Sequence, residues 1–303
     1  MLIVTLPPVH QDDLLKTIIE HPLVDAVRYN TGVDSPYTPD EVVRSIQELA
    51  FPLGKPVFID LKGKQLRVIE WANLPEGPIL LNHRIKVALP ARVHLRGEAT
   101  SNLKAVVDGN HIFVDPLPKY AVGRGQAVNI ISPSLEIEGG LLPLDYEYIE
   151  AGMQHGVAGF MLSFVESMKD VRELEDALQS RAKRPRIILK IESQAGLNFV
   201  AQTHYASLTR YQLMAARDDL MIHVGPYHMP DALRTIREKN PQAICASRIL
   251  MGLAQDGVSM ADISDLEYMW RGIGYKHFML SDGISRDHFA AAMDAWEHYW
   301  STR

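Results

Sequence analysis

The sequence predicts an α/β protein: a (β/α)8 TIM barrel with a small β-rich domain inserted after the third strand. Three observations predict it. Eight short apolar runs alternate with amphipathic stretches along the 303 residues. The runs are continuous rather than alternating, as in strands of a parallel sheet covered on both faces by helices. One tract, residues 68–137, has no helical period at all.

The strands are expected at Leu2–Thr5, Ala26–Tyr29, Val57–Asp60, Gly159–Ser163, Ile187–Ile191, Gln212–Ala215, Ala243–Ala246 and His277–Ser281. Helices are expected near 11–21, 39–50, 145–155, 167–181, 194–205, 230–239, 260–272 and 286–299. Eight such pairs suit a closed barrel, whose active site lies at the C-terminal ends of its strands. An open doubly wound sheet is the alternative. The tract 68–137 carries Pro75, Pro78, Pro90, Pro116 and Pro118 and the alternating stretch Arg92-Val93-His94-Leu95. Residues 106–114 read as a hairpin about Asp108-Gly109. The expected organisation is a catalytic barrel of residues 1–67 and 138–303, and an inserted domain of residues 68–137. Over a barrel mouth, such a domain can act as a lid; a rigid insertion is the other reading.

Composition narrows the function classes. The chain is 47 % hydrophobic and 22 % charged, ordinary for a soluble globular protein. Its net charge of −6 argues against coating nucleic acid. The single cysteine, Cys245, cannot form an internal disulfide and reads as a core residue in a reducing compartment. No zinc motif is present. The start, MLIVTLPPVHQDD, reads as a first strand and not a signal peptide. No apolar run reaches the roughly 18 residues of a membrane span. The expectation is a cytoplasmic protein with a small-molecule substrate and neither nucleic-acid nor membrane partners. A homo-oligomer is compatible with the sequence.

Chemistry gathers at the strand ends. Lys190 and Glu192 lie two apart at the end of a buried run, so they point the same way. Burying that pair is costly without compensation from a salt bridge, a metal or an anionic substrate. The other ends carry Arg28-Tyr29-Asn30, the run from Asp60 to Arg67, Ser163-Phe164, Arg217-Asp218-Asp219, Ser247-Arg248 and Ser281-Asp282-Gly283. Glu192 and Asp219 offer oxygen donors suited to Mg²⁺ or Mn²⁺. Arg28, Arg67 and Lys190 are cations suited to phosphate or carboxylate. Such a set serves phosphoryl transfer and enolate stabilisation alike. Other features rank lower. His223 and His228 are five apart with Pro226 between them, Gly123-Arg124-Gly125 reads as a turn, and Trp270, Trp296 and Trp300 suit packing or a subunit interface.

Taken in order, these segments resemble the pyruvate kinase family, over residues 1–67 and 138–295. The family's Arg-x-Asn is similar to Arg28-Tyr29-Asn30. Asp-Thr-Lys-Gly-Pro-Glu-Ile-Arg is similar to Asp60-Leu61-Lys62-Gly63-Lys64-Gln65-Leu66-Arg67. Ser-Lys-Ile-Glu-Asn is similar to Leu189-Lys190-Ile191-Glu192-Ser193, and Ala-Arg-Gly-Asp-Leu-Gly to Ala216-Arg217-Asp218-Asp219-Leu220-Met221. Cys-Ala-Thr-Gln-Met-Leu is similar to Cys245-Ala246-Ser247-Arg248-Ile249-Leu250. Ala-Glu-Val-Ser-Asp-Val is similar to Ala261-Asp262-Ile263-Ser264-Asp265-Leu266, and Met-Leu-Ser-Gly-Glu to Met279-Leu280-Ser281-Asp282-Gly283.

The resemblance implies roles residue by residue. Lys190 would neutralise the transferring phosphoryl group and the enolate oxygen. Glu192 and Asp219 would hold the divalent metal, and Arg28 and Arg67 would contact phosphate. Ser247, in place of a threonine, would take part in enolate protonation. The backbone of Ala216, Arg217, Asp218 and Asp219 would cradle the substrate carboxylate at a helix N-terminus. Asn30 and Asp60 would form a monovalent-cation site. Here the implication is weakest, because a serine of the family's K⁺ site has no counterpart after Asn30. Lys64 stands where proline is expected and could supply the charge K⁺ otherwise brings. The insertion would cover a nucleotide, ADP or ATP. The departures are an absent C-terminal domain, Gln65 for glutamate, Asp218 for glycine and Asp282-Gly283 for Gly-Glu. The leading expectation is a phosphotransferase acting on phosphoenolpyruvate or a related enol phosphate. The alternatives are a metal-dependent aldolase or lyase of a pyruvate-like 2-oxo acid, and a catalytically silent interaction protein.

Overall fold

Eight parallel strands close into a barrel in the computed structural model of the chain. The structure describes residues 1–74, 76–96, 99–178 and 184–303. Pro75 and the end of the helix expected over 167–181 lie outside them. The barrel strands are Leu2–Thr5, Ala26–Asn30, Val57–Leu61, Gly159–Leu162, Arg186–Ile191, Gln212–Ala216, Ile244–Ala246 and His277–Met279. They pair in chain order, and the eighth returns to the first through Leu2↔Phe278 and Ile3↔Met279. Ile3, Ala26, Phe58, Met161, Ile188, Met214, Ile244 and Met279 pack together as one buried cluster. Burial on both faces explains the continuous apolar runs.

The surrounding helices bury one stripe each. Pro39–Ala50 buries Val42, Val43, Ile46 and Ala50, and a capping box between Thr38 and Glu41 starts it. Ser167 with Asp170 and Ser259 with Asp262 cap two others in the same way. The structure also differs from the expected elements. The stretch 194–205 stops at Gln202 and restarts as Tyr205–Leu208. The stretch 260–272 is α-helical over Met260–Glu267 and continues as a π-helix, Tyr268–Ile273. The last helix divides at His288 into Asp282–Asp287 and Phe289–Ser301. The helix Arg217–Val224, whose start the resemblance implies but which is absent from the helices expected from periodicity, follows the sixth strand directly.

The contacts divide the chain into two compact units, Met1–Leu61 with Pro143–Arg303, and Lys62–Leu142. The second unit runs wider at both ends than the 68–137 expected, and Leu66 lies in its core. It holds a five-stranded antiparallel sheet in the order Ile79–Leu80, His111–Asp115, Ala99–Val107, Ala91–Arg96, Asn129–Ile131. A separate pair joins Ile85–Lys86 to Glu136–Ile137. The expected hairpin is present, with Val107 opposite His111. Its turn needs positive φ at Asp108 and Gly109, 49° and 77°. Glycine, with no Cβ, takes such values freely, and Asp tolerates them.

Candidate active site

Lys190 sits near the end of the fifth strand with its side chain almost fully buried. Its ammonium donates to both oxygens of Asp60, each at 3.2 Å, and to the Ser163 hydroxyl at 2.8 Å. Glu192 Oε1 lies 3.1 Å away. Three strand ends therefore meet at one cation: the third supplies Asp60, the fourth Ser163, the fifth Lys190 and Glu192. Burial lowers the Lys190 pKa, but Asp60 and Glu192 together outweigh it, so the net shift is upward. For Glu192 burial raises the pKa, Lys190 opposes, and the charges of Asp219 and Asp60 raise it further. Its second oxygen accepts the Phe164 N–H at 2.7 Å. Phe164 takes φ of 50° there, an uncommon value for an aromatic residue.

Arg28 lies in the middle of the second strand, beside this cluster. Its Nε donates to Asp60 at 2.8 Å, and Nη2 pairs with the same carboxylate. Nη1 donates to Thr5 Oγ1 at 3.0 Å and pairs with Asp282. Asn30 donates its amide to the other oxygen of Asp282 and accepts from the Gly32 N–H at 3.0 Å. The oxygens of Asp60 are thus engaged by Arg28, Lys190 and Ser163. In the expected monovalent-cation pair, Asp60 already carries two protein cations.

The sixth and seventh strands form the adjoining side. Arg217 opens its helix with a buried guanidinium that donates to both Asp265 oxygens, at 2.7 and 2.9 Å, and twice to the Ser247 carbonyl. Asp218 is half-exposed and pairs with Arg248 at 3.5 Å. Ser247 and Arg248 both have positive φ, 64° and 55°. Asp219 stands in the first turn of the same helix.

Of the expected site residues, Arg28, Asn30, Asp60, Lys190 and Glu192 are linked through shared contacts, and Asp219 acts on Glu192 through its charge. Ala216, Arg217, Asp218 and Ser247 belong to the adjoining side. Arg67 belongs to the Lys62–Leu142 unit. There it donates to Gln65 Oε1 at 3.0 and 2.9 Å, and its backbone N–H to Asn82 at 2.8 Å. Sequence reasoning assigned no role to Ser163, Asp265 or Thr5. Ser163 carried a signal, a hydroxyl at a strand end; Asp265 stood in the run Ala261–Leu266 that resembles a family motif, with no role attached to it. Asp282 was noted as a departure, but its pairing with Arg28 and Asn30 was not.

Among the described residues no cluster of three or more His, Cys, Asp or Glu has metal-binding geometry. What remains is the carboxylate pair Glu192 and Asp219. A buried carboxylate made harder to ionise by a second one fits a hard divalent cation. Such a cation takes one or two protein carboxylates and fills its other positions with water and substrate oxygens. Among the described residues no helix is long and apolar enough to cross a membrane.

Comparison with known proteins gives a consistent family. The family model described as pyruvate kinase, barrel domain, matches residues 96–268, over half of the chain. The pyruvate kinase of Thermoplasma acidophilum is 24 % identical over 282 residues, 86 % of this chain and 50 % of its own. That of Thermotoga maritima is 24 % identical over 274 residues, covering 80 % and 58 %. Pyruvate kinase 1 of Saccharomyces cerevisiae is 26 % identical over 249 residues, covering 70 % and 49 %. The chain spans about half the length of these curated relatives. The crystal structure of pyruvate kinase from Pyrobaculum aerophilum matches with a TM-score of 0.72 at 18 % identity, over 97 % of this chain and 71 % of that one. That likeness is one of fold.

Proposed function

The chain belongs to the pyruvate kinase family, and from that premise we propose that it transfers a phosphoryl group from phosphoenolpyruvate, or a related enol phosphate, to a nucleoside diphosphate. One observation carries the reading: the Lys190 ammonium, buried and held by Asp60, Ser163 and Glu192 at the strand ends. A fixed cation in a water-poor site stabilises charge where it develops, without reorganising when the reaction occurs. The P–O bond to the enol oxygen breaks, and its electron pair stays on that oxygen as an enolate. A terminal oxygen of the diphosphate forms the new P–O bond. The enolate carbon then takes a proton and gives the 2-oxo acid. Lys190 faces the charge that moves from phosphate to enolate oxygen. Arg28 adds a second fixed cation, and Ser247 serves the proton transfer. Arg67 is a phosphate contact in this reading. Glu192 and Asp219 would hold a Mg²⁺ or Mn²⁺ ion, which when bound neutralises phosphate and enolate charge.

A second reading rests on its own observation. Asp218 stands where the family has glycine, at the start of the helix Arg217–Val224, and pairs with Arg248. A carboxylate there repels an anionic substrate group. An aldolase or lyase of a 2-oxo acid would accommodate a changed pocket while keeping enolate chemistry.

The deciding experiment is ³¹P NMR of phosphoenolpyruvate with the protein and Mg²⁺ or Mn²⁺, with and without ADP. ATP resonances growing only with ADP support the phosphotransferase. An unchanged spectrum retires it and directs attention to aldol chemistry. Metal binding is checked separately by calorimetry with Mn²⁺ alone. Glu192→Gln is expected to weaken it at least ten-fold, and equal affinity would remove Glu192 from the metal site.

A further inference from the structure

Arg217 makes more contacts than a substrate-binding side chain needs, and its hydrogen-bond partners Ser247 and Asp265 lie outside the Lys190 cluster. Its guanidinium is buried, with 4 % of the side chain exposed. One edge donates from Nε and Nη2 to the Ser247 carbonyl, at 3.0 and 2.7 Å. Nη1 takes both oxygens of Asp265, at 2.7 and 2.9 Å. Asp265 comes from the helix Met260–Glu267. One side chain therefore ties the end of the sixth strand to the turn after the seventh and to the helix beyond it.

That turn is the most strained stretch of the barrel unit. Ser247, Arg248 and Leu250 all lie in the left-handed region, with φ of 64°, 55° and 56°. Residues with a Cβ avoid that region, and such outliers persist only when their surroundings hold them. The Ser247 N–H is fixed to the Met279 carbonyl at 3.1 Å, and its carbonyl is gripped twice by Arg217. The next residue, Arg248, pairs with Asp218. The turn thus sets both the Ser247 hydroxyl and the guanidinium that faces Asp218.

We propose that Arg217, braced by Asp265, is a positioning residue that holds the Ser247–Arg248 turn in its left-handed conformation and so governs proton transfer at the enolate carbon. Its side chain acts through Ser247 and not by contact with substrate. The planar fork of arginine satisfies a carbonyl and a carboxylate at once; a lysine ammonium offers one point charge and cannot.

The inference rests on the phosphotransferase reading for its chemistry, and the test separates the two. Methyl-proton exchange of pyruvate into D₂O, followed by ¹H NMR with Mg²⁺, reads proton transfer alone. A methyl C–H bond breaks, its electron pair becomes the enolate double bond, the proton leaves by way of Ser247, and a deuteron returns. Phosphoryl transfer is read by ³¹P NMR on the same samples. In Arg217→Lys, proton exchange is expected to fall at least ten-fold further than phosphoryl transfer does. Amide hydrogen exchange at residues 247–250 is expected to quicken at least ten-fold, with the Gln212–Ala216 strand unchanged. Equal losses in the two reactions, or unchanged protection at 247–250, overturn the proposal. If Arg217→Lys does not fold, Asp265→Asn keeps the guanidinium and loosens its brace, and the same ratio is expected in the same direction. A wild-type protein silent in both reactions would sink the phosphotransferase reading, while the amide exchange would still decide what Arg217 holds.

Discussion

Lys190 would be expelled from a barrel mouth, or would lose its proton, were its neighbours apolar, because a buried ammonium is costly unless paired. Asp60 and Glu192 reverse that tendency. Lys190→Met keeps much of the volume and deletes the charge. Phosphoryl transfer is expected to fall by about 10²–10³-fold or more, the effect of losing one preorganised charge-stabilising donor. Mn²⁺ binding read by calorimetry is expected to persist, and unchanged turnover in the variant would remove Lys190 from the mechanism. His277 makes a different prediction. Its Nε2 lies 2.8 Å from Gln242 Oε1, an acceptor, so the proton is on Nε2, while Nδ1 is buried without a hydrogen-bond partner. Burial lowers its pKa, and the N-terminal amine, Arg186 and Arg237 lower it further against the smaller pull of Asp25. A histidine kept neutral by folding contributes stability above its ordinary value of 6.5, and that contribution is lost as pH falls through the lowered folded value. Between about pH 7.5 and about pH 5.5, a window chosen around the ordinary histidine value, the wild-type Tm is expected to drop more than that of His277→Gln. Parallel drops would clear His277. Lys190 with Glu192 was legible because strand period two puts them on one side. Asp282 with Arg28 was not, because the partners are 254 positions apart and only barrel closure brings them together.

At the scale of elements, the strands were read to within about two residues because each is buried over most of its length and is followed by polar residues. The helix Arg217–Val224 was implied by the resemblance alone, and apolar periodicity did not mark it for a physical reason. Its buried positions are Arg217, Leu220 and Val224, a helical spacing, but the first is a charged residue buried by its ion pair. A pattern search for apolar residues does not see it. The π-helical continuation at Tyr268–Ile273 was equally hidden, since its residues carry on an acceptable helical pattern. The fourth strand offers a direct test of strand packing. A Cβ on Gly159 would come within 2.3 Å of the Arg186 carbonyl oxygen on the neighbouring strand. Backbone cannot swing away as a side chain can, so Gly159→Ala is expected to destabilise by about 3 kcal/mol, the upper end of ordinary overpacking. Gly283→Ala is the control, because its Cβ would meet nothing within 4 Å. Its expected change is within about 1 kcal/mol and in the stabilising direction. Denaturation midpoints for the two variants check this; similar values would show that the contact at Gly159 relaxes freely.

The whole molecule has two cores, and the second has its own logic. Leu66, Val68, Ile79, Leu81, Val93, Leu103, Ile112, Val128 and Ile130 form a buried cluster drawn entirely from the Lys62–Leu142 unit. The alternating sequence there marked strands with one covered face. The prolines made it look irregular, and the sheet order, in which the strand Ala91–Arg96 pairs with Asn129–Ile131 across more than thirty residues, was not legible. Single domains of roughly 55–65 residues upward can fold alone when they bury a contiguous core. Residues 62–142 expressed by themselves are therefore expected to unfold in urea with one sigmoidal transition by circular dichroism. Val93→Ala, which removes methyl groups from a fully buried site in the cluster, is expected to cost about 1–3 kcal/mol and to shift the midpoint of that transition. A gradual, non-cooperative loss of signal would mean that the core needs the rest of the chain.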